Sequence, residues 1–265
     1  MNNHILLFIL LLINVSYAVG QGSSFTYRAV YDFDYTVLTD EAKRNDMIFL
    51  DINKDGSFCY SNYTYERDSL MKTPNGNETF RRLLTAAFLK EGATTNAFPH
   101  KRSTFMVAKN YAQKQAVVKE SVQSEMFEYT IPTHDISWTT TDSIEEICGY
   151  SCIKAIGEYH GRTWVVWFTP EIPFSDGPWQ LSGLPGLIVK AEDNEQLFCF
   201  TLKRFYKSPG RSDWTDKGKM TNRLELLKLK KKALQNSGAM LNAMLGTNIS
   251  STGKKKYVFL ETDFQ

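Results

Sequence analysis

Glu171 and Asp176 are the two side chains whose types and spacing come nearest to chemistry. They bracket Ile172-Pro173-Phe174-Ser175, and Trp164, Trp167 and Trp179 lie close by in the chain. Two carboxylates beside aromatic rings suit an acid–base pair with a platform for a sugar ring, as in glycoside-cleaving enzymes. Such a pair must converge in a cleft, with one member raised in pKa. The local sequence pulls the other way. Pro170, Pro173 and Pro178 stiffen the loop, carboxylates beside such turns commonly accept backbone N–H groups, and Arg162 can pair with either acid. Arg162, Trp164, Trp167, Glu171, Asp176 and Trp179 are therefore the expected ligand-binding residues. No residue is assigned to catalysis, and a hydrolase using Glu171 and Asp176 is the alternative.

The sequence holds no Gly-x-Ser-x-Gly elbow, no His-Glu-x-x-His pair and no phosphate-binding glycine loop. His4, His100, His134 and His160 lack metal-ligand spacing, and His160 is expected as a solvated histidine in a turn. Neither a cofactor nor a metal is expected. The formal net charge of +2 gives no support for a nucleic-acid partner.

The apolar run Ile5 to Val15, followed by Ser16-Tyr17-Ala18, reads as a secretory signal over residues 1–18. A single domain is expected over 19–265, exported to the periplasm, cell envelope or beyond, and no later run is long enough for a transmembrane helix. Export makes Cys59, Cys148, Cys152 and Cys199 candidates for disulfides, with three pairings open.

The elements that must hold the candidate residues are mostly strands. Phe25, Tyr27, Ala29, Tyr31, Phe33, Tyr35 and Val37 alternate along one long strand with an aromatic face. Met47 to Ile52 and Ser57 to Tyr65 form a hairpin across Asn53-Lys54-Asp55-Gly56, with Asp-Gly supplying positive φ. Glu78 to Lys90 carries apolar residues at helical spacing and is expected to pack on the sheet. Short strands follow at 104–109, 115–120, 125–131 and 138–145. Cys152 to Tyr159 and Thr163 to Thr169 make a hairpin across His160-Gly161, and Leu187 to Glu192 pairs with Gln196 to Phe205. Trp164 and Trp167, three apart in a strand, must point to opposite faces. Met220 to Gln235 reads as a helix with Met220, Leu224, Leu227 and Leu234 on one stripe and four lysines towards its end, and Tyr257 to Thr262 as a last strand.

The stretch Gly161-Arg162-Thr163-Trp164, Trp167-Phe168-Thr169-Pro170-Glu171-Ile172-Pro173, Gly177-Pro178-Trp179 and Gly183-Leu184-Pro185-Gly186-Leu187-Ile188 closely resembles the GLPGLI family of exported Bacteroidota proteins. The resemblance covers about 138–193. It implies an exported protein of unknown role, with no established active site or cofactor.

The fold class expected is α+β: a curved, half-barrel-like, mainly antiparallel sheet with one or two packed helices. The leading functional expectation is non-catalytic binding of an apolar or peptidic ligand in an aromatic groove. A structural partner in an envelope complex is the alternative.

Overall fold

Strict alternation of large apolar residues makes a strand bury one face, and the first such segment forms the centre of the sheet. In the computed structural model, which describes residues 27–37, 43–91, 101–123, 125–210, 217–245 and 257–264, this segment is β1 (Tyr27–Tyr35). The expected leader and His100 lie outside the described residues. β1 pairs antiparallel with β2 (Arg44–Ile52) on one side and with β11 (Phe198–Lys207) on the other.

Outward from β2 lie β3 (Gly56–Ser61), β4 (Phe105–Asn110), β5 (Gln115–Val122), β6 (Glu125–Pro132) and the two-residue β12 (Lys219–Met220). Outward from β11 lie β10 (Leu187–Asp193), β9 (Arg162–Thr169), β8 (Tyr150–Tyr159) and β7 (Thr139–Ile147). All twelve strands belong to one sheet. It is mixed rather than wholly antiparallel, because β12 runs parallel to β6.

Two hairpins are closed by two-residue turns, Cys148-Gly149 and His160-Gly161, with both φ values positive in each (55° and 79°, 51° and 80°). That geometry matches the twist of the strands it joins and favours glycine at the second position. The expected turn at 53–56 is present but works differently. Gly56 does not take a positive φ; instead Asn53 Oδ1 accepts the N–H groups of Asp55 and Gly56, both at 2.8 Å.

Among the described residues three helices accompany the sheet, one more than expected at most. The strand expected over Ser57 to Tyr65 stops at Ser61, whose Oγ accepts the Thr64 N–H and caps α1 (Asn62–Met71). A side-chain cap satisfies one of a helix's unpaired N–H groups, which the apolar pattern cannot foresee. α2 (Gly76–Glu91) packs against α1 rather than directly on the sheet, and α1 lies on β2 and β3. α3 (Arg223–Leu245) docks through Leu226 and Leu227; of the expected apolar stripe Leu227 is buried, whereas Met220 and Leu224 are exposed. The last strand expected near Tyr257 is an extended segment making only an isolated bridge.

β1 is buried on both faces. Val30 packs with Phe49, Phe58 and Tyr60 beneath α1. Ala29, Tyr31 and Phe33 face the main core, where Phe33 and Phe200 stack at 4.0 Å. Ile172, Trp179, Leu181 and Leu184 of the loop between β9 and β10 belong to the same core. The aromatic face is thus filled by the chain's own loop. Burying four such side chains stabilises the loop by roughly 6–12 kcal/mol, an upper estimate. An apolar ligand would have to displace that much packing to enter.

Candidate functional site

The loop of residues 170–186 is held by a buried ion pair. Asp176 is fully buried, and its Oδ1 accepts from Lys109 Nζ at 2.5 Å and from the Gly177 N–H at 2.6 Å. Its Oδ2 accepts the Tyr111 hydroxyl at 2.6 Å. Lys109, at the end of β4, spends its other two ammonium protons on the carbonyls of Gly177 (2.9 Å) and Leu181 (2.8 Å). All three ammonium donors are therefore used, which is what lets a charge reside in this interior. Burial, and then the Asp176 charge, push the Tyr111 phenol far above its ordinary range.

Glu171 faces elsewhere. It is exposed, and its Oε1 accepts the Ser151 backbone N–H at 2.8 Å. The two carboxylates do not form an acid–base pair: one neutralises a buried lysine and the other caps a strand. Nor does Arg162 pair with either. Its guanidinium binds Asp193 (2.7 Å), Glu195 (3.0 Å) and the Phe259 carbonyl (2.7 and 3.1 Å).

Trp164 and Trp167 point to opposite faces, as strand geometry requires. Trp164 is buried against Trp179 (5.7 Å) and Phe200 (6.4 Å). Trp167 is covered by Lys190 and Lys154, whose ammonium groups stand 4.4 and 5.6 Å from its ring. The six expected ligand-binding residues are thus distributed through core, loop staple and surface rather than gathered around one cavity.

The hexapeptide at 183–188 has a structural reason of its own. Gly186 takes φ +154°, and a Cβ there would lie 2.1 Å from the Thr169 carbonyl oxygen. Only glycine lets the loop turn this tightly back into β10. Leu184, Leu187 and Ile188 are core residues.

A polar cluster that sequence spacing did not reveal forms where the loop meets the end of the chain. Gln180 Oε1 accepts from Tyr159 Oη and lies 3.2 Å from His160 Nε2, while its Nε2 faces Tyr129 Oη (3.3 Å) and Glu261 (3.4 Å). Arg223 of α3 grips Glu261 (2.5 Å) and Asp263 (2.8 and 2.6 Å). His160 is largely buried rather than solvated, and its Nδ1 lies 3.6 Å from Asp263. Burial, and then the Arg223 charge, lower its pKa from 6.5 to about 4, against the pull of Asp263. Burial raises Glu261 despite Arg223, whereas the Arg223 hydrogen bond lowers Asp263.

Carboxylates pushed in opposite directions beside a neutral imidazole are an acid–base inventory. His160, Glu261 and Asp263 also offer ligand atoms within 4.8 Å of one another, close enough for a metal. The Arg223 guanidinium already supplies the positive charge both carboxylates require. The arrangement instead works as a latch. It holds the 257–264 segment, together with the Thr262 N–H on the His160 carbonyl (2.9 Å) and Arg162 on the Phe259 carbonyl.

All four cysteines are unpaired in the structure, so none of the three candidate pairings is formed. Cys59 is a core residue whose sulfur accepts the Trp179 N–H at 3.2 Å, and burial pushes its pKa to about 12. Cys148 is exposed in its turn, beside an open depression of about 410 Å³ that Tyr150, Lys203, Arg204, Phe205 and Tyr206 also line.

One sheet edge is also open. Among the described residues β7 pairs only with β8; it is interrupted by a bulge between Thr140 and Ile144, and it leaves Ile144 70% exposed. Its charged residues are Asp142, Glu145 and Glu146, with no lysine or arginine in the strand.

A family model described as a protein of unknown function (Porph_ging) matches residues 106–190, from β4 through the loop into β10. No curated protein matches the chain. Two crystal forms of PNGF-II resemble it in fold. The P21 form has a TM-score of 0.54 and 14% identity over 79% of this chain. The C2 form has a TM-score of 0.54 and 13% identity over 79%. This chain spans about a third of PNGF-II (34% and 33%), and the likeness is one of fold alone.

Proposed function

We propose that the protein is a non-catalytic exported binding protein of the GLPGLI type, which takes a peptide segment of an envelope partner as an added strand on β7. The observation carrying this reading is the open, acidic β7 edge with its exposed Ile144. An unpaired edge offers a row of backbone donors and acceptors to an extended chain. In the hairpin closed by Cys148-Gly149 the pairing of Ile147 with Tyr150 directs alternate backbone groups outwards, at Glu146 and Ile144. Asp142, Glu145 and Glu146 set two copies of this edge against each other by repulsion and favour a basic strand. Export rests on residues 1–18, and GLPGLI membership on the motifs at 161–188. The filled aromatic face and the tied-off Glu171 and Asp176 favour this reading over an apolar-ligand carrier or a hydrolase.

The test is fluorescence anisotropy with a labelled peptide of alternating Lys and Val at low salt, and a matched Asp-Val peptide as control. Wild-type protein binds the Lys-Val peptide only. Ile144→Pro removes an outward N–H at an edge where proline is tolerated, so binding is lost while the fold remains. Equal binding by Ile144→Pro, or none by wild type, overturns the reading.

A further inference from the structure

The outer face of α3 is unlike the rest of the surface. Among its described side chains the helix meets the body along one side. Leu226 and Leu227 are buried, Arg223 grips Glu261 and Asp263, and Lys230 reaches Glu120 at 2.5 Å. At 3.6 residues per turn the opposite side carries Leu224, Glu225, Lys228, Leu229 and Lys232. Leu224 and Leu229 are 42% and 41% exposed, and Met220, just before the helix, is 73% exposed. Three of the six exposed large apolar side chains among the described residues thus fall within ten residues of one another, with Lys228 between Leu224 and Leu229. Lys228 and Lys232 are exposed and have no acidic partner among the described residues.

We infer that this face of α3 docks on an anionic lipid bilayer, lying in the headgroup layer. A helix with lysines and large aliphatic side chains on one exposed side fits a surface that accepts both at once. Leu224, Leu229 and Met220 reach the acyl boundary while Lys228 and Lys232 meet lipid phosphates, and Glu225 stands among them as the one opposing charge. A nucleic acid or an acidic polypeptide would use the lysines and leave the three apolar side chains in water. This inference does not depend on the β7 reading, since it uses a different element and a different partner.

The test is co-sedimentation of the chain lacking residues 1–18 with vesicles of phosphatidylcholine alone or mixed equally with phosphatidylglycerol. The protein sediments with the phosphatidylglycerol vesicles, and added salt releases it. Lys228→Gln and Lys232→Gln each weaken binding about fivefold, the share of one basic residue at an anionic surface. The pair Leu224→Ser and Leu229→Ser abolishes binding. These are surface positions, where substitutions move stability little, and thermal melts check that. As a second readout, Met220→Cys carrying a polarity-sensitive dye shifts its emission to the blue on the anionic vesicles. Failure to sediment, or sedimentation indifferent to both sets of substitutions, overturns the inference. So does binding to polyglutamate or DNA that loses affinity with the lysines and keeps it with the serines, which assigns the face to an acidic macromolecule.

Discussion

Replacing Lys109 with methionine should be among the most damaging single changes in this chain. The ammonium group makes three bonds, to Asp176 and to the carbonyls of Gly177 and Leu181. Methionine fills much of the same volume and supplies none of them. The variant would keep the Asp176 carboxylate buried beside Tyr111 and the Gly177 N–H with no counter-charge. Breaking a buried pair in this way costs about 3–5 kcal/mol. For a chain of this size that is a fall in melting temperature of roughly 6–20 °C. The loop of residues 170–186 is what the pair secures, so loosening it should expose Trp179 and the aromatic core face, read as red-shifted tryptophan emission and dye binding. Urea unfolding of wild type, Lys109→Met, Asp176→Asn and the double variant gives the coupling between the two residues directly. The double variant removes the stranded charge, so its loss should fall short of the sum of the single losses by 1 kcal/mol or more, within the usual range for contacting groups. A loss under about 1 kcal/mol for Lys109→Met, or singles that add within about 0.5 kcal/mol, would refute the claim that this pair staples the loop.

Two further expectations concern titration and thiols. The His160 pKa is about 4 in the folded chain against 6.5 ordinarily, so its share of stability is full above pH 6.5 and disappears as pH falls towards 4. The expected size is about 2–3 kcal/mol. Glu261, raised by burial, acts with the opposite sign: its share is present below its ordinary 4.5 and lost as pH rises through the raised value. Comparing urea unfolding of wild type with His160→Gln across this window isolates the histidine, and an imidazole titrating near 6.5 by NMR would contradict the assignment. Native thiol labelling should modify Cys148 first, whereas Cys59 and Cys152, buried and pushed up to about 12 and about 11, should react only on unfolding. Rapid labelling of Cys59 would mean that the loop above it opens readily.

Much of the sheet was legible because its cues are local. Strict alternation marked β1, and short strand-like runs, several bounded by turn residues, marked β2, β4 to β6 and β8 to β11. His160-Gly161 and Gly149 marked turns because positive φ favours glycine whatever the surroundings. α1 was missed because its start depends on the Ser61 oxygen reaching the Thr64 N–H, in a stretch whose aromatic spacing suits a strand equally well. α3 was recognised, but only part of its expected stripe is buried: Leu227 lies in the contact together with Leu226, whereas Met220 and Leu224 are exposed, since neighbouring leucines leave more than one apolar stripe open and only the docking surface selects one.

The sequence by itself determined a strand-rich chain with a stiff Trp- and Pro-bearing loop at 170–186, because alternation, turn glycines and prolines act through the backbone within a few residues. Only the tertiary structure decided what that loop's charges do. Asp176 meets Lys109 from 67 positions away, and Glu261 meets Gln180 from 81 positions away. Charged and hydrogen-bonding groups take whichever partners the strand order brings within about 3 Å of them once water is excluded. Here the order that places β1 between β2 and β11 turned an apparent acid–base pair into a staple and a strand cap.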